Sequence, residues 1–276
     1  MKVEEVTRAK GTLTERRMDV SLRIWYQSSV AIGVNPVFKP YEDAIARNMG
    51  EVVRPDTAVD IHGVQRMSPH FGKSKYARYL NGLWVTRLAA EAEASGYDAI
   101  AVGCYTDPCL PEVRDTVSIP SVYIMQTSMH FACMLGGKFA FMGYDVVTLR
   151  LMEQLAQRYR LEHRLAGSGS IEAQLSKSDE WFSHPGPILD RFGTEARTCI
   201  AKGADVLIPA CGVLNQVLRE NKVRDVDGCP VLDGSSLLIK VTEAMADLYR
   251  LGGIQWSRGG VPAATLREIH RAYGVE

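Results

Sequence analysis

Short apolar runs alternate along this chain with longer stretches in which apolar residues recur at three- and four-residue spacing. The runs are Leu22 to Gln27, Ala58 to Ile61, Ala99 to Val102, Ile119 to Ile124, Lys138 to Gly143, Val206 to Pro209 and Cys229 to Leu232. Such runs, four to six residues long, predict strands buried on both faces, and the Ala-rich stretches Leu83 to Ser95 and Thr194 to Lys202 between them predict helices. Leu237 to Leu251, with apolar residues at 237, 238, 241, 245 and 248, and Ala263 to Tyr273 predict two more. Strands alternating with amphipathic helices imply βαβ units and parallel sheets, an α/β fold.

Within this alternation one segment recurs. Gly96-Tyr97-Asp98-Ala99-Ile100-Ala101-Val102-Gly103-Cys104 and Gly203-Ala204-Asp205-Val206-Leu207-Ile208-Pro209-Ala210-Cys211 place Gly, Asp and Cys at the same offsets, 107 residues apart. Each follows a predicted helix, each half opens with an apolar strand, and each cysteine is followed by a proline-led strand. Two lobes of one plan are therefore expected, related by a pseudo-twofold axis, each a short, mainly parallel sheet flanked by helices with the active site in the cleft between them. Ligands of open α/β sheets bind at the carboxyl ends of the strands, where both cysteines fall. Two thiols meeting there suit chemistry on both faces of a planar carbon.

A free cysteine most often serves as a small buried hydrophobe. That suits Cys133 and Cys199, in helix-like stretches, and nothing further distinguishes Cys109 or Cys229. Cys104 and Cys211 alone combine repeat position with strand-end position. The residues after them, Tyr105-Thr106-Asp107-Pro108 and Gly212-Val213-Leu214-Asn215, have the character of helix starts, with Asp107 as N-cap ahead of Pro108. Backbone N–H groups there would hold a carboxylate or imide oxygen and lower a thiol pKa from about 8.5.

At these residues the sequence resembles a known family. Gly103-Cys104-Tyr105-Thr106-Asp107-Pro108-Cys109-Leu110 is similar to the segment around the first catalytic cysteine of hydantoin racemases, in the aspartate/glutamate racemase superfamily. Gly203 to Gly212 resembles their second-cysteine segment. Phe141-Met142-Gly143-Tyr144-Asp145-Val146-Val147-Thr148 is similar to the strand and loop opening the second lobe in hydantoin racemases, arylmalonate decarboxylases and maleate isomerases. The likeness runs in order from about Val20 to the C-terminus. It implies Cys104 and Cys211 as an acid/base pair, with Tyr105, Thr106, Tyr144 and Gly212 donating to the substrate's carbonyl or carboxylate. Gln27, Ser28, Thr148 and Val213 complete the implied substrate-binding set. The sequence departs from the family at Trp25-Tyr26-Gln27-Ser28-Ser29, where an Asn-Pro-Asn-Thr-like turn is usual, and at Gln126-Thr127, where Glu-Ala is usual. These departures bear on the substrate more than on the fold. The implied division is a charged arm over 1–19, a first lobe of 20–128 plus 233–276, and a second lobe of 129–232.

Charge and composition narrow the classes further. The 276 residues carry 32 Lys+Arg against 32 Asp+Glu, 46% are hydrophobic and the pI is near 7.0, so no global attraction for nucleic acid or an anionic membrane is expected. Met1 to Asp19 holds nine charged residues and no apolar core of a secretory signal, and no stretch has the roughly 18 apolar residues of a spanning helix. A cytoplasmic homo-oligomer acting on a small carbonyl or carboxylate compound is expected, without cofactor or metal. The cysteines form no CxxC pair and the six histidines show no metal-ligand spacing. His62 and His184 stand as secondary site candidates. Ala166-Gly167-Ser168-Gly169-Ser170 carries two glycines of a dinucleotide fingerprint, but Glu172 stands where the third belongs, so a flexible loop is expected. Arg54 to Lys75 should combine the strand Ala58 to Ile61 with a loop that either covers the cleft or merely connects elements.

Two functional classes follow. One is a cofactor-independent racemase acting on a hydantoin or similar cyclic amide, with a maleate-type cis–trans isomerase, a decarboxylase or a thiol hydrolase as rivals within the superfamily. The other is a non-catalytic two-lobed binding protein, which has no need of a thiol at the same offset in both halves.

Overall fold

The computed structural model describes residues 22–252 and 261–274. The charged arm expected over 1–19 lies outside the described residues. In chain order the elements are β1 (Leu22–Gln27), α1 (Lys39–Val52), β2 (Thr57–His62), α2 (Lys75–Ala94), β3 (Ala99–Val102), α3 (Leu110–Thr116), β4 (Ser121–Tyr123) and α4 (Ile124–Leu135). They continue with β5 (Phe139–Gly143), α5 (Val146–Arg158), β6 (Leu165–Ser170), α6 (Ser178–Ser183), α7 (Gly186–Ala201), β7 (Val206–Pro209) and α8 (Gly212–Glu220). The last are β8 (Asp225–Val226), β9 (Cys229–Pro230), α9 (Gly234–Arg250) and α10 (Ala263–Tyr273).

Two parallel sheets organise the chain, one in the order β2-β1-β3-β4 and one in the order β6-β5-β7. Helices cover their faces, so β3, β5 and β7 are buried along their whole length and read as continuous apolar runs rather than alternating ones. Register decides what lies at the strand ends. Gln27 is level with Val102 in the first sheet and Met142 with Pro209 in the second. The next backbone bonds repeat the pattern: Gly103 N–H donates to the Gln27 carbonyl at 2.9 Å, and Ala210 N–H to the Met142 carbonyl at 2.8 Å. Each cysteine thus leaves its sheet two residues past its strand, locked to the neighbouring strand in the same way.

The alternation correctly predicts an α/β fold of parallel sheets flanked by helices, and two local expectations need correction. Ala166 to Ser170 is not a flexible loop but lies in the edge strand β6, paired with β5. A side chain at Gly169 would come within 2.8 Å of Glu195 Cβ on α7 and 3.0 Å of Met142 Cε, so glycine here is what lets the helix lie on the strand. Cys229 to Leu232 gives only a two-residue strand, paired antiparallel with β8, and Val231 makes a single parallel bridge to Leu207. Ser128 and Met129 are both buried on α4. After β9 the chain crosses back at Asp233, whose carboxylate accepts from Ser236 N–H at 3.1 Å to cap α9, and α9 packs on β1, β3 and β4. Among the described residues no helix is long and apolar enough to cross a membrane, and no cluster of His, Cys, Asp and Glu is placed to hold a metal.

Candidate active site

Cys104 and Cys211 line one cavity of about 50 Å³. Ser28 enters from the end of β1, Tyr105 and Thr106 from the turn after Cys104, Tyr144 and Thr148 from the β5–α5 turn, and Gly212 and Val213 from the start of α8. Both sheets therefore contribute walls. The two cysteine turns approach so closely that a side chain at Gly212 would lie 3.3 Å from the Gly103 carbonyl and would collide with the Tyr41 hydroxyl. Glycine is required there by proximity.

The surroundings of the two thiols differ. Cys211 is the N-cap residue of α8; its side chain makes no cap hydrogen bond, but the backbone of Val213 and Leu214 at the helix start favours its thiolate. Cys104 is followed by a non-helical turn, and α3 begins only at Leu110. Asp107 is therefore not the N-cap of a helix led by Pro108: its φ of 42° is left-handed, and the residue that precedes α3 is Cys109, at φ 50°. Thr106 Oγ1 lies 3.2 Å from Cys104 Sγ, and the Thr106 backbone also favours the thiolate.

The expected lowering of the thiol pKa values is overturned as well. Burial pushes the Cys104 thiol up, against the opposing pull of the Ser29 and Thr106 hydroxyls. Burial pushes Cys211 further, up to about 12, although the two helix-start N–H groups favour its thiolate; the fields of Cys104 and Asp145 add to the rise. Desolvation outweighs a helix start when both sheets close over the sulfur. In this closed form both thiols are protonated at neutral pH.

Other expected site residues divide. The Gln27 side chain does not reach the cavity: Trp25 Nε1 donates to its Oε1 at 2.8 Å and its Nε2 donates to the Ser28 carbonyl at 2.8 Å. Tyr105 lines the cavity, but its hydroxyl donates to Asn215 Oδ1 at 2.9 Å rather than toward a ligand. Burial drives the Tyr144 phenol well above its ordinary value, so it is a neutral hydroxyl. His62 stacks on Trp25, with ring centroids 3.3 Å apart, and burial lowers its pKa; His184 meets the Ser183 hydroxyl at the surface. Neither lines the cavity. The connection after β2 does cover the cleft, because Phe71 is buried against the cavity and Gly72 faces the Tyr144 hydroxyl. Ser29, at the end of the segment that departs from the family, also lines it, as do Val30, Tyr41, Met152 and Leu175, which carried no sequence signal because they read as ordinary core.

A cavity at the carboxyl ends of two parallel sheets, with one thiol from each, lies where open α/β sheets commonly take their ligands. The Asp/Glu/Hydantoin racemase family matches residues 40–242, and the chain belongs to that family. It is 23% identical over 184 residues to a hydantoin racemase of Pseudomonas sp. (strain NS671), an alignment covering 66% of this chain and 72% of that one. Among solved structures it resembles the allantoin racemase of Klebsiella pneumoniae, with a TM-score of 0.70 at 18% identity over 86% of this chain and 91% of the other. It also resembles the allantoin racemase of Pseudomonas fluorescens, with a TM-score of 0.68 at 18% identity over 86% and 94%. The protein is thus an isomerase of the racemase kind.

Proposed function

We propose that this enzyme racemises a neutral five-membered cyclic amide of the hydantoin type, with Cys104 and Cys211 as proton carriers on opposite faces of the carbon next to a ring carbonyl. One observation carries the choice of substrate: among the described residues, none that lines the cavity with the two thiols bears a charge. Free aspartate or glutamate would bring two carboxylates and an ammonium into this enclosure, and each unpaired ion would cost several kcal/mol. A cyclic amide needs only hydrogen bonds, which hydroxyls and helix-start N–H groups supply. The names of the relatives, hydantoin and allantoin racemases, support the same choice.

In the proposed cycle one cysteine, as thiolate, takes the ring carbon's proton and the electron pair passes into the carbonyl as an enolate. Fixed donors hold that charge, an effect worth several kcal/mol. The opposite thiol then gives its proton to the other face, leaving itself as the thiolate for the reverse turnover. Proton count and oxidation state balance, so the cycle needs no cofactor. Because the closed cavity is small and its thiols are neutral, substrate entry must displace the Phe71 segment, and admission of solvent then favours ionisation of the first thiol.

The proposal extends to the chain division given above and to a cytoplasmic homo-oligomer. All six cysteines are free, as a reducing compartment would keep them, and Tyr76, Tyr79, Leu80 and Leu83 form an exposed apolar stripe along α2. The test is proton NMR in D2O with a panel of hydantoins, allantoin, aspartate, glutamate, maleate and an arylmalonate, with and without EDTA. Exchange at the ring carbon with loss of optical activity, unaffected by EDTA, is expected for the cyclic amides alone. Turnover of only the amino acids, a ring-opened product, fumarate from maleate, or decarboxylation as the main reaction would overturn it.

A further inference from the structure

Asp107 does not touch the cavity, yet everything about its placement bears on Cys104. It is 2% exposed and sits in the left-handed region at φ 42°, a conformation disfavoured for residues with a Cβ and tolerated best by Asp and Asn. Its N–H donates to the Cys104 carbonyl at 3.0 Å, closing the turn, and the residue between, Thr106, holds the hydroxyl beside the Cys104 sulfur. Its carboxylate accepts from Met125 N–H at 3.1 Å, Gln126 N–H at 2.8 Å and the Tyr159 hydroxyl at 2.7 Å. Met125 and Gln126 open α4, whose own N-cap residue, Tyr123, offers no side-chain bond. Tyr159 follows α5, the helix after β5. One carboxylate therefore ties the first cysteine turn to a helix start and to the end of a helix belonging to the second sheet.

We propose that Asp107 is a positioning residue that fixes the Cys104 thiol for proton transfer by locking the 104–109 turn onto α4 and Tyr159. This rests on Cys104 being one of the two proton carriers. A left-handed non-glycine residue persists only where its surroundings hold it, and three donors on one buried carboxylate do so. The charged and titratable groups facing it are Arg114 from α3, Tyr123 from β4, Tyr159 beyond α5 and Cys104 itself. Burial raises its carboxyl to about 7, and the three donors and Arg114 oppose that rise. Protonation near neutrality would displace one of the donors and loosen the turn.

The experiment follows iodoacetamide alkylation of Cys104 and Cys211 by peptide mapping across pH, together with kcat and KM, in the full chain carrying Asp107→Asn, Asp107→Ala or Tyr159→Phe. Asp107→Asn should speed alkylation of Cys104 about tenfold while leaving Cys211 within about twofold, because only the first thiol gains access. It should lower kcat about 100-fold with KM nearly unchanged, as expected when a reacting group is displaced rather than binding lost. Tyr159→Phe, which removes one partner, should do the same more weakly. Asp107→Ala should exceed Asp107→Asn, which keeps an acceptor and tolerates the left-handed backbone. The wild-type Cys104 profile should bend near pH 7 and the Asp107→Asn profile should not. Equal acceleration at both cysteines, or unchanged Cys104 labelling in the folded Tyr159→Phe and Asp107→Asn proteins, would overturn the positioning role. Labelling reports on position whether or not the wild type racemises a cyclic amide, so failure of that proposal would be seen separately.

Discussion

The two segments that end in Cys104 and Cys211 carry Gly, Asp and Cys at the same offsets and leave their sheets through equivalent backbone bonds, yet they make different chemical sites. Cys211 stands at the N-cap of a nine-residue helix, whose first backbone groups favour its thiolate. Cys104 opens a turn with two left-handed residues and has the Thr106 hydroxyl 3.2 Å from its sulfur, with the Thr106 backbone also favouring its thiolate. Glycine stands before one cysteine and after the other, and each glycine packs on a different tyrosine: Gly103 on Tyr26 of β1 and Gly212 on Tyr41 of α1. An internal repeat, then, conserves where a thiol is delivered and leaves open what stabilises it. Such a difference would suit the proposed cycle, in which two thiols exchange roles on opposite faces of a substrate that is not itself symmetric.

The largest effects should come from the thiols themselves. Cys104→Ser and Cys211→Ser should each reduce racemisation by at least about 1000-fold, since both a base and an acid are required in every turnover. Each variant should still exchange the ring proton of one enantiomer with D2O, and the two should prefer opposite enantiomers. One dead variant beside one of near-normal turnover would break the comparison and leave a single-cysteine hydrolase or decarboxylase.

Next comes the residue that joins the halves. Asn215 Oδ1 accepts from the Tyr105 hydroxyl at 2.9 Å and from Gly234 N–H at 2.8 Å, while its Nδ2 donates to Asp233 at 3.1 Å. Asn215→Ala would strand buried polar groups on both sides and should cost about 3 kcal/mol, read as a lowered urea midpoint. The glycines should rank below it. Gly103→Ala and Gly212→Ala should each cost about 2 kcal/mol through overpacking. Tyr41→Phe should relieve the second, whereas Tyr26→Phe should not relieve the first, because ring carbons of residue 26 stay within 2.9 Å of the new Cβ; relief of Gly103→Ala by Tyr41→Phe would show that the two turns are not packed independently.

The smallest expected effects are on pH dependence. Both thiols are raised, so kcat/KM should climb as pH rises through ionisation of the first thiol and fall when the second also ionises. Thr106→Val removes a hydroxyl that favours the Cys104 thiolate and should move one limb of that profile up by about one unit, roughly 1.4 kcal/mol. Stability should respond with a definite sign. Cys211 is raised to about 12 in the fold from about 8.5 in the unfolded chain, so its contribution is complete below pH 8.5 and is lost as pH rises toward 12. Cys211→Ser should flatten that alkaline loss, and an unchanged slope would count against burial as its cause.

Much of the fold was legible because strands buried on both faces carry their own signature. Leu22 to Gln27 and Ala263 to Tyr273 match their observed elements end to end, and both cysteines lie where the repeat puts them. The glycine-rich β6 was not legible, because what makes its glycines a strand is the approach of α7, more than twenty residues away in sequence. Nine of the ten expected site residues line the cavity. The tenth, Gln27, is turned away because Trp25, two residues before it on the same face of β1, takes its amide oxygen.

By itself the sequence determined the element order, the parallel sheets and the delivery of one thiol from each, since these follow from short-range apolar patterns and equal spacings. Only the tertiary structure decided the ionisation of those thiols, the destination of the Asp107 carboxylate and the uncharged lining of the cavity. Those properties depend on which distant groups close around a site, and desolvation in particular grows with every neighbour that excludes water. A local motif such as a helix start supplies one favourable contribution to that balance, and at Cys211 the packing of both sheets outweighs it.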